Sequence, residues 1–397
     1  PSIGCESCHG PGSLHIQERT SEVPLAGEFD DTIVHPGKLS RVLNEAVCAR
    51  CHLRGAGWSN VRGRSSSDFR PGLLITDFRV DFAPKDSTGS MKVVGHFEQM
   101  HASRCYIESD TLTCTTCHNP HASPSTDMKV EHYRRKCLEC HVSKDNGCAL
   151  PEPERLAKSP ADNCVTCHMP QSGTDIPHFS FTHHRIGLQH ARQVDERQVA
   201  ASSELVPIGD VSRLSPLDLE RCLGRAWLLY GDSLKGRARF AAFAEASKRL
   251  RRVYDAGMQD AGVSGGLAYL HWIKRDPVCI QFAEQALRSP DCTAEIRSDS
   301  LIVLGDMHFE LGDIAAADAA FGRLTELRLR YTDWQMLGIC RARLGKSDEA
   351  VLAFQTALKL KPGAVEVHLL LANELAAAGQ KALAEEHRKT ARRLEQH

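Results

Sequence analysis

The chain has 397 residues, with 49 Lys and Arg against 50 Asp and Glu, a formal net charge of −1, and 42% hydrophobic but 6% aromatic residues. That length allows two or three domains, and the balanced charge argues against nucleic acid or an anionic membrane surface as a partner. No run of about 18 apolar residues occurs, so no membrane span is expected.

Of the 16 cysteines, ten fall into five copies of Cys-x-x-Cys-His. In chain order these are Cys5, Cys8 and His9; Cys48, Cys51 and His52; Cys114, Cys117 and His118; Cys137, Cys140 and His141; and Cys164, Cys167 and His168. Each copy supplies two thiols that add across the vinyl groups of one haem and a neighbouring imidazole that reaches the iron from the proximal side. Zinc knuckles and thioredoxin-type redox motifs also use Cys-x-x-Cys. Neither selects His at one fixed offset five times over, so the expectation is five covalently bound haems c. Porphyrin then replaces aromatic side chains as core filler.

Gly10-Pro11-Gly12, Asn119-Pro120 and Met169-Pro170 turn the chain directly after three of the motifs. The last three motif histidines are separated by only 23 and 27 residues, too little chain for separate cores, so their haems are expected to touch. The long interval from about Arg54 to Phe97 reads as an extended loop with one short strand pair around Leu73, Phe78, Val80 and Phe82. Pro1 stands only four residues ahead of the first haem cysteine, so the chain reads as processed or lacking an N-terminal segment.

Beyond about residue 210 the texture becomes Ala- and Leu-rich helix with a 33- to 34-residue period. Trp334, Leu337-Gly338, Gly345, Ala350, Phe354, Ala357 and Pro362 fit the tetratricopeptide pattern, with equivalents at Leu304-Gly305, Gly312 and Phe321 before and at Leu371-Ala372 and Gly379 after. Two degenerate copies precede them, framed by Leu223-Gly224 with Phe240 and by Leu267-Ala268 with Leu287. The fold expected is mainly α: a haem-packed, loop-rich domain over residues 1–200, a linker over 201–210, and an α-solenoid of five repeats over 211–397. Cys222 and Cys340 fall on helical core faces as buried thiols. Cys105 with Cys148, and Cys279 with Cys292, are candidate disulfides.

The stretches Gly4-Cys5 to His15, Thr113 to His121, Cys164 to Pro170 and Pro177 to Ile186 together resemble multihaem c-type cytochromes carrying a C-terminal tetratricopeptide domain, relatives of the cytochrome c554 and pentahaem nitrite reductase group. The resemblance covers essentially the whole chain, although members of that group usually have one more haem domain ahead of the first motif here. Ten non-motif histidines precede residue 200, twice what five irons need. Those in family-like contexts, His15, His121, His178 and His184, are the candidate distal ligands. His101 is a fifth, with Met100 as its alternative; His96, His183 and His35 are reserves. A second protein ligand makes a haem an electron carrier, whereas an open position binds substrate.

The expected function is therefore electron transfer through packed, mostly bis-His haems outside the cytoplasm, in the periplasm, at the cell surface or extracellularly. The repeat domain would hold a redox partner or further copies of the chain, as a homo-oligomer or a filament. The alternative is a multihaem reductase or oxidase of small nitrogen or sulfur compounds. The absence of Cys-x-x-Cys-Lys and the surplus of histidine weigh against an enzyme.

Overall fold

The computed structural model describes residues 3–21, 30–85, 95–141, 147–173, 180–188 and 204–396. The fold is mainly α and divides into two compact units, Pro1–Ala242 and Phe243–His397.

In the first unit short helices alternate with irregular chain. Helices α1 (Glu6–His9), α2 (Ser13–Thr20) and α3 (Arg41–His52) come first, then β1 (Gly57–Asn60) and β2 (Arg79–Pro84). Helices α4 (His96–His101), α5 (Arg104–Ile107), α6 (Cys114–Cys117), α7 (Lys129–Leu138), α8 (Glu152–Lys158) and α9 (Cys164–His168) follow, then the strands β3 (Gln171–Gly173), β4 (Ser180–Thr182) and β5 (Leu205–Ile208). The expected strand pair is present: β1 and β2 run antiparallel with Trp58 opposite Asp81. Its sheet has a third member, because β5 pairs antiparallel with the far edge of β2, Phe82 facing Pro207. Residues 204–208, read from sequence as linker, therefore belong to a sheet. The cause is long-range pairing that no local pattern announces.

Helix α10 (Pro216–Ser233), assigned from sequence to the repeat domain, also lies in the first unit and lies on this sheet. A Cβ on Gly57 would stand 2.1 Å from the Ala226 carbonyl oxygen, so only glycine lets strand and helix approach so closely. Arg221 donates to the Asn60 carbonyl at 2.9 Å, and Arg62 pairs with Asp218 at 3.0 Å. Beneath the sheet Ala46, Ala49, Leu53, Phe69, Ile75, Phe78 and Phe97 form one apolar cluster. This side-chain core is confined to one part of the unit. Helices α1, α2, α6, α7, α8 and α9 bury none of their own residues.

Helix α11 (Gly236–Asp255) spans the division between the units. The second unit then runs as antiparallel helix pairs: α12 (Ala261–Ile273) with α13 (Val278–Arg288), α14 (Ala294–Glu310) with α15 (Ile314–Leu327), α16 (Tyr331–Arg343) with α17 (Ser347–Leu360), and α18 (Val365–Ala377) with α19 (Lys381–Glu395). Gly312, Gly345 and Gly379 recur at the turn inside the last three pairs with φ of +83°, +72° and +81°. Each lets the next amide return to the helix it leaves, as Lys346 N–H does to Arg341 O at 2.9 Å and Gln380 N–H to Leu375 O at 2.8 Å. The repeat signature is a packing rule made visible. Phe321 and Phe354 lie flat against Gly305 and Gly338, where an added Cβ would meet the ring at 2.7 and 2.5 Å. Among the described residues no helix is long and apolar enough to cross a membrane.

Candidate functional site

Each Cys-x-x-Cys-His motif is one helical turn. Positions i, i+3 and i+4 of a helix share a face, so this fold puts both thiols and the imidazole on one side. The amide of the motif histidine closes the turn onto the first cysteine: His9 N–H to Cys5 O, His118 N–H to Cys114 O and His141 N–H to Cys137 O, each at 3.0 Å. The second motif ends α3 and the fifth is α9 itself. Local chemistry starts two of these turns: the Thr113 side chain forms a capping box with Thr116, and Asn163 accepts from Val165 N–H at 3.1 Å.

Successive motifs lie against one another in chain order. Burial raises the Cys8 thiol, and Cys48 and Cys51 raise it further. Cys114 donates a hydrogen bond to Cys48, which lowers the Cys48 thiol and raises that of Cys114. Cys117 is raised by burial and also lies within the field of Cys140. Cys137 is pushed up to about 12 by burial and by Cys164, whose thiol it also hydrogen-bonds. Asp162, with φ +49°, joins the last two motifs: Arg134 of α7 donates to its Oδ2 at 2.8 Å and Arg155 of α8 to its Oδ1 at 2.5 Å, just ahead of α9.

Three ring pairs each contain a motif histidine, and two of them are joined, because the His96 and His184 rings lie 4.5 Å apart. The rings of His9 and His121 are 5.9 Å apart and 12° from parallel, and those of His118 and His184 6.1 Å apart at 28°. A metal bound by two imidazoles at about 2 Å on opposite sides spaces the ring centres about 6 Å apart. Two of these rings are also aimed. His9 Nδ1 binds Val34 O at 2.8 Å and His184 Nδ1 binds Thr182 O at 2.9 Å, which fixes the tautomer and leaves Nε2 as the ligating nitrogen. His52 meets His96 at 5.2 Å with the Nδ1 atoms 3.3 Å apart, so those rings must turn to present Nε2 to a common centre. Burial, then neighbouring imidazoles, lower His96 and His118 and bring His184 to about 4; all are held neutral, the form that ligates a metal.

Among the distal candidates, then, His121 and His184 lie beside motif histidines. His96, only a reserve in the sequence, does so as well, and nothing in its sequence context marks it. His15 is elsewhere: its Nδ1 pairs with Asp30 at 2.7 Å and Arg19 shares that carboxylate. His101 also stands apart from the motif histidines. Its ring lies between Phe97 and Tyr106 at 3.9 and 4.0 Å, and Nε2 donates to buried Glu45 at 3.0 Å. His178 lies outside the described residues. Cys105 and Cys148 are both free, as are Cys279 and Cys292, in place of the candidate disulfides. Cys222, Cys279 and Cys340 are fully buried.

The residues fit covalent haem. Five pairs of thiols sit on helical turns, two imidazole pairs have the spacing of axial ligands, and of the helices carrying the motifs only α3, which packs Ala46 and Ala49 into the apolar cluster, buries side chains of its own. Among the described residues no group of three or more His, Cys, Asp or Glu side chains is arranged to hold a bare metal ion.

Comparison with protein families gives two matches. A model described as a doubled CXXCH motif matches residues 108–146, which hold the third and fourth motifs, and a tetratricopeptide repeat model matches residues 334–363. The chain thus carries a c-type haem-binding motif pair and a protein-interaction repeat. No curated protein matches it. Among solved structures, a crystal structure of MamA is 20% identical, covers 42% of this chain and 94% of its own, and has a TM-score of 0.37. YrrB, described as a TPR protein with an unusual peptide-binding site, is 17% identical, covers 43% of this chain and 84% of its own, and also has a TM-score of 0.37. Likeness at that level carries no argument about function.

Proposed function

We propose that the chain is an extracytoplasmic multihaem c-type cytochrome, related to the cytochrome c554 and pentahaem nitrite reductase group, that carries five haems and transfers electrons along them. The observation that carries this reading is the pairing of motif imidazoles with second imidazoles, His9 with His121 and His118 with His184, at about the span of an axial ligand pair. Bound haem supplies a one-electron iron couple; the residues of this chain do the rest. Ten cysteines fix the groups covalently, five proximal histidines orient them, and contact between successive motifs sets the order of the path from the first to the fifth. Carbonyl oxygens of Val34 and Thr182 hold the ligand rings in place. Where a second imidazole faces the motif histidine, as His121 does His9 and His184 does His118, the protein would supply both ligands and leave no site for substrate, which favours a conduit over an enzyme.

The repeat unit supplies association, with a redox partner or with further copies of the chain as a homo-oligomer or extracellular filament. Low-temperature EPR of the oxidised protein tests the reading. Low-spin signals from every iron are expected. A substantial high-spin signal together with turnover of nitrite or hydroxylamine would replace the conduit by the reductase.

A further inference from the structure

Among the described residues two carboxylates of the first unit are only 1% exposed, Glu45 and Asp81. Asp81 has its cation: Arg79 Nε lies 2.6 Å from Oδ2, and the Gly55 amide donates to Oδ1 at 3.2 Å. Glu45 is satisfied on one side only. Its Oε2 receives the Tyr106 hydroxyl at 2.8 Å and His101 Nε2 at 3.0 Å, two donors facing an acceptor as an ionised carboxylate requires. Its Oε1 is buried and accepts no hydrogen bond among the described residues. Arg41, one turn back on α3, stands 3.8 Å from Oε1 but gives its hydrogen bonds to the carbonyls of Leu112 and Tyr106, both at 3.0 Å, and lies over the Tyr106 ring at 3.5 Å. It is also 21% exposed, so solvent screens it more than it screens the carboxylate.

What this charge faces is the junction of two haem motifs. Glu45 precedes Cys48 by three residues on α3, and the groups turned toward it are Arg41, His101, Tyr106 and the hydrogen-bonded thiols of Cys48 and Cys114. A redox centre that gains an electron beside a buried, incompletely neutralised anion is harder to reduce, and the low dielectric of the interior makes the penalty large.

We propose that Glu45 is a potential-setting residue, a fixed negative charge that holds the haems attached at the second and third motifs at lower potential than they would have beside a neutral side chain. Tyr106 and His101 are its positioning residues. The inference rests on the reading of those motifs as haem attachment sites. It also gives His101 a function as a carboxylate anchor in place of the iron-ligand role.

The test uses the full-length holoprotein. Peptide mapping first establishes whether the Cys48–His52 and Cys114–His118 peptides carry haem; their absence would overturn the functional reading and this inference with it. Spectroelectrochemical titration of Glu45→Gln should then show two of the couples moved upward by about tenfold in the reduction equilibrium, about 59 mV for a one-electron couple, with the others in place and the visible spectra unchanged. Glu45→Asp should restore most of the shift. If the glutamine variant does not fold, Arg41→Gln decides: removing the cation should move the same two couples downward. Haem present at both motifs with potentials indifferent to these charges would overturn the role of Glu45 and leave the conduit standing.

Discussion

Helix α17 in the second unit buries Ala350, Ala353, Phe354 and Ala357, each at 0–1% exposure, whereas α7, which carries the fourth motif in the first unit, buries none of its side chains. The contrast extends to their neighbours. Ala350, Phe354, Val367, Leu371 and Ala384 join one continuous apolar cluster, while over residues 95–188 the buried hydrophobic residues among those described are Phe97 and Met100. Repeat helices supply their own filler and stack through it. The motif helices of residues 95–188 supply thiols and imidazoles on one face and bury no side chains of their own, which would leave the apolar volume to an attached group. The difference teaches that the repeat unit is encoded by side-chain packing, whereas residues 95–188 supply little apolar filler, as covalent haem attachment would require, so the two regions should fail under different insults.

The largest expected effect separates them directly. Expressed without haem attachment, the chain should show amide exchange over residues 95–188 with opening free energies near zero, while residues 261–391 keep the protection of a folded repeat array. Equal protection in both regions would break the comparison.

Next in size is Phe354→Ala, which removes a ring that is 1% exposed and packed on Gly338; it should cost the repeat unit about 3–5 kcal/mol and leave the haem spectra alone, as thermal unfolding followed at 222 nm and in the Soret band would report. Gly338→Ala introduces a Cβ at 2.5 Å from that ring and should cost about 1–3 kcal/mol by the same assay, despite the better helix propensity of alanine.

The smallest effect is one of acidity. His368, whose Nε2–H donates to Pro362 O at 2.9 Å, accepts from His387 through facing Nδ1 atoms 2.9 Å apart. Burial, then His368, lower His387 below its ordinary value. A group whose folded pKa is depressed binds its proton more readily unfolded, so its contribution is present above about pH 6.5 and is lost as pH falls below it. The melting temperature of the repeat unit should decline in that window, and His387→Phe should flatten the decline.

The two regions also differed in how far their sequences could be read. Repeats declare themselves because Gly312, Gly345 and Gly379 occupy the same left-handed turn at a constant period, and the glycine and phenylalanine that pack together lie 16 residues apart in two successive copies. The motifs were equally plain, since covalent attachment tolerates no variation in the spacing of thiols and imidazole. Their partners were not. His121 and His184 stood in recognisable contexts, but His96 reaches His52 only through the fold, and the residues around His101 say nothing of the carboxylate it meets, 56 positions earlier in the chain. For the same reason β5 passed for a linker and α10 for a repeat helix. The Asp81 to Ile208 pairing and the Gly57 to Ala226 approach each join residues more than a hundred positions apart, and such contacts leave no local signature.

Intact mass of the purified protein under denaturing conditions tests the central claim most directly. If the first unit is built around covalent groups at Cys5, Cys48, Cys114, Cys137 and Cys164 and their partner cysteines, the mass should exceed that of the polypeptide by five haems that acid–acetone does not extract. A mass equal to the bare polypeptide, or an increment removed by acid–acetone, would contradict it.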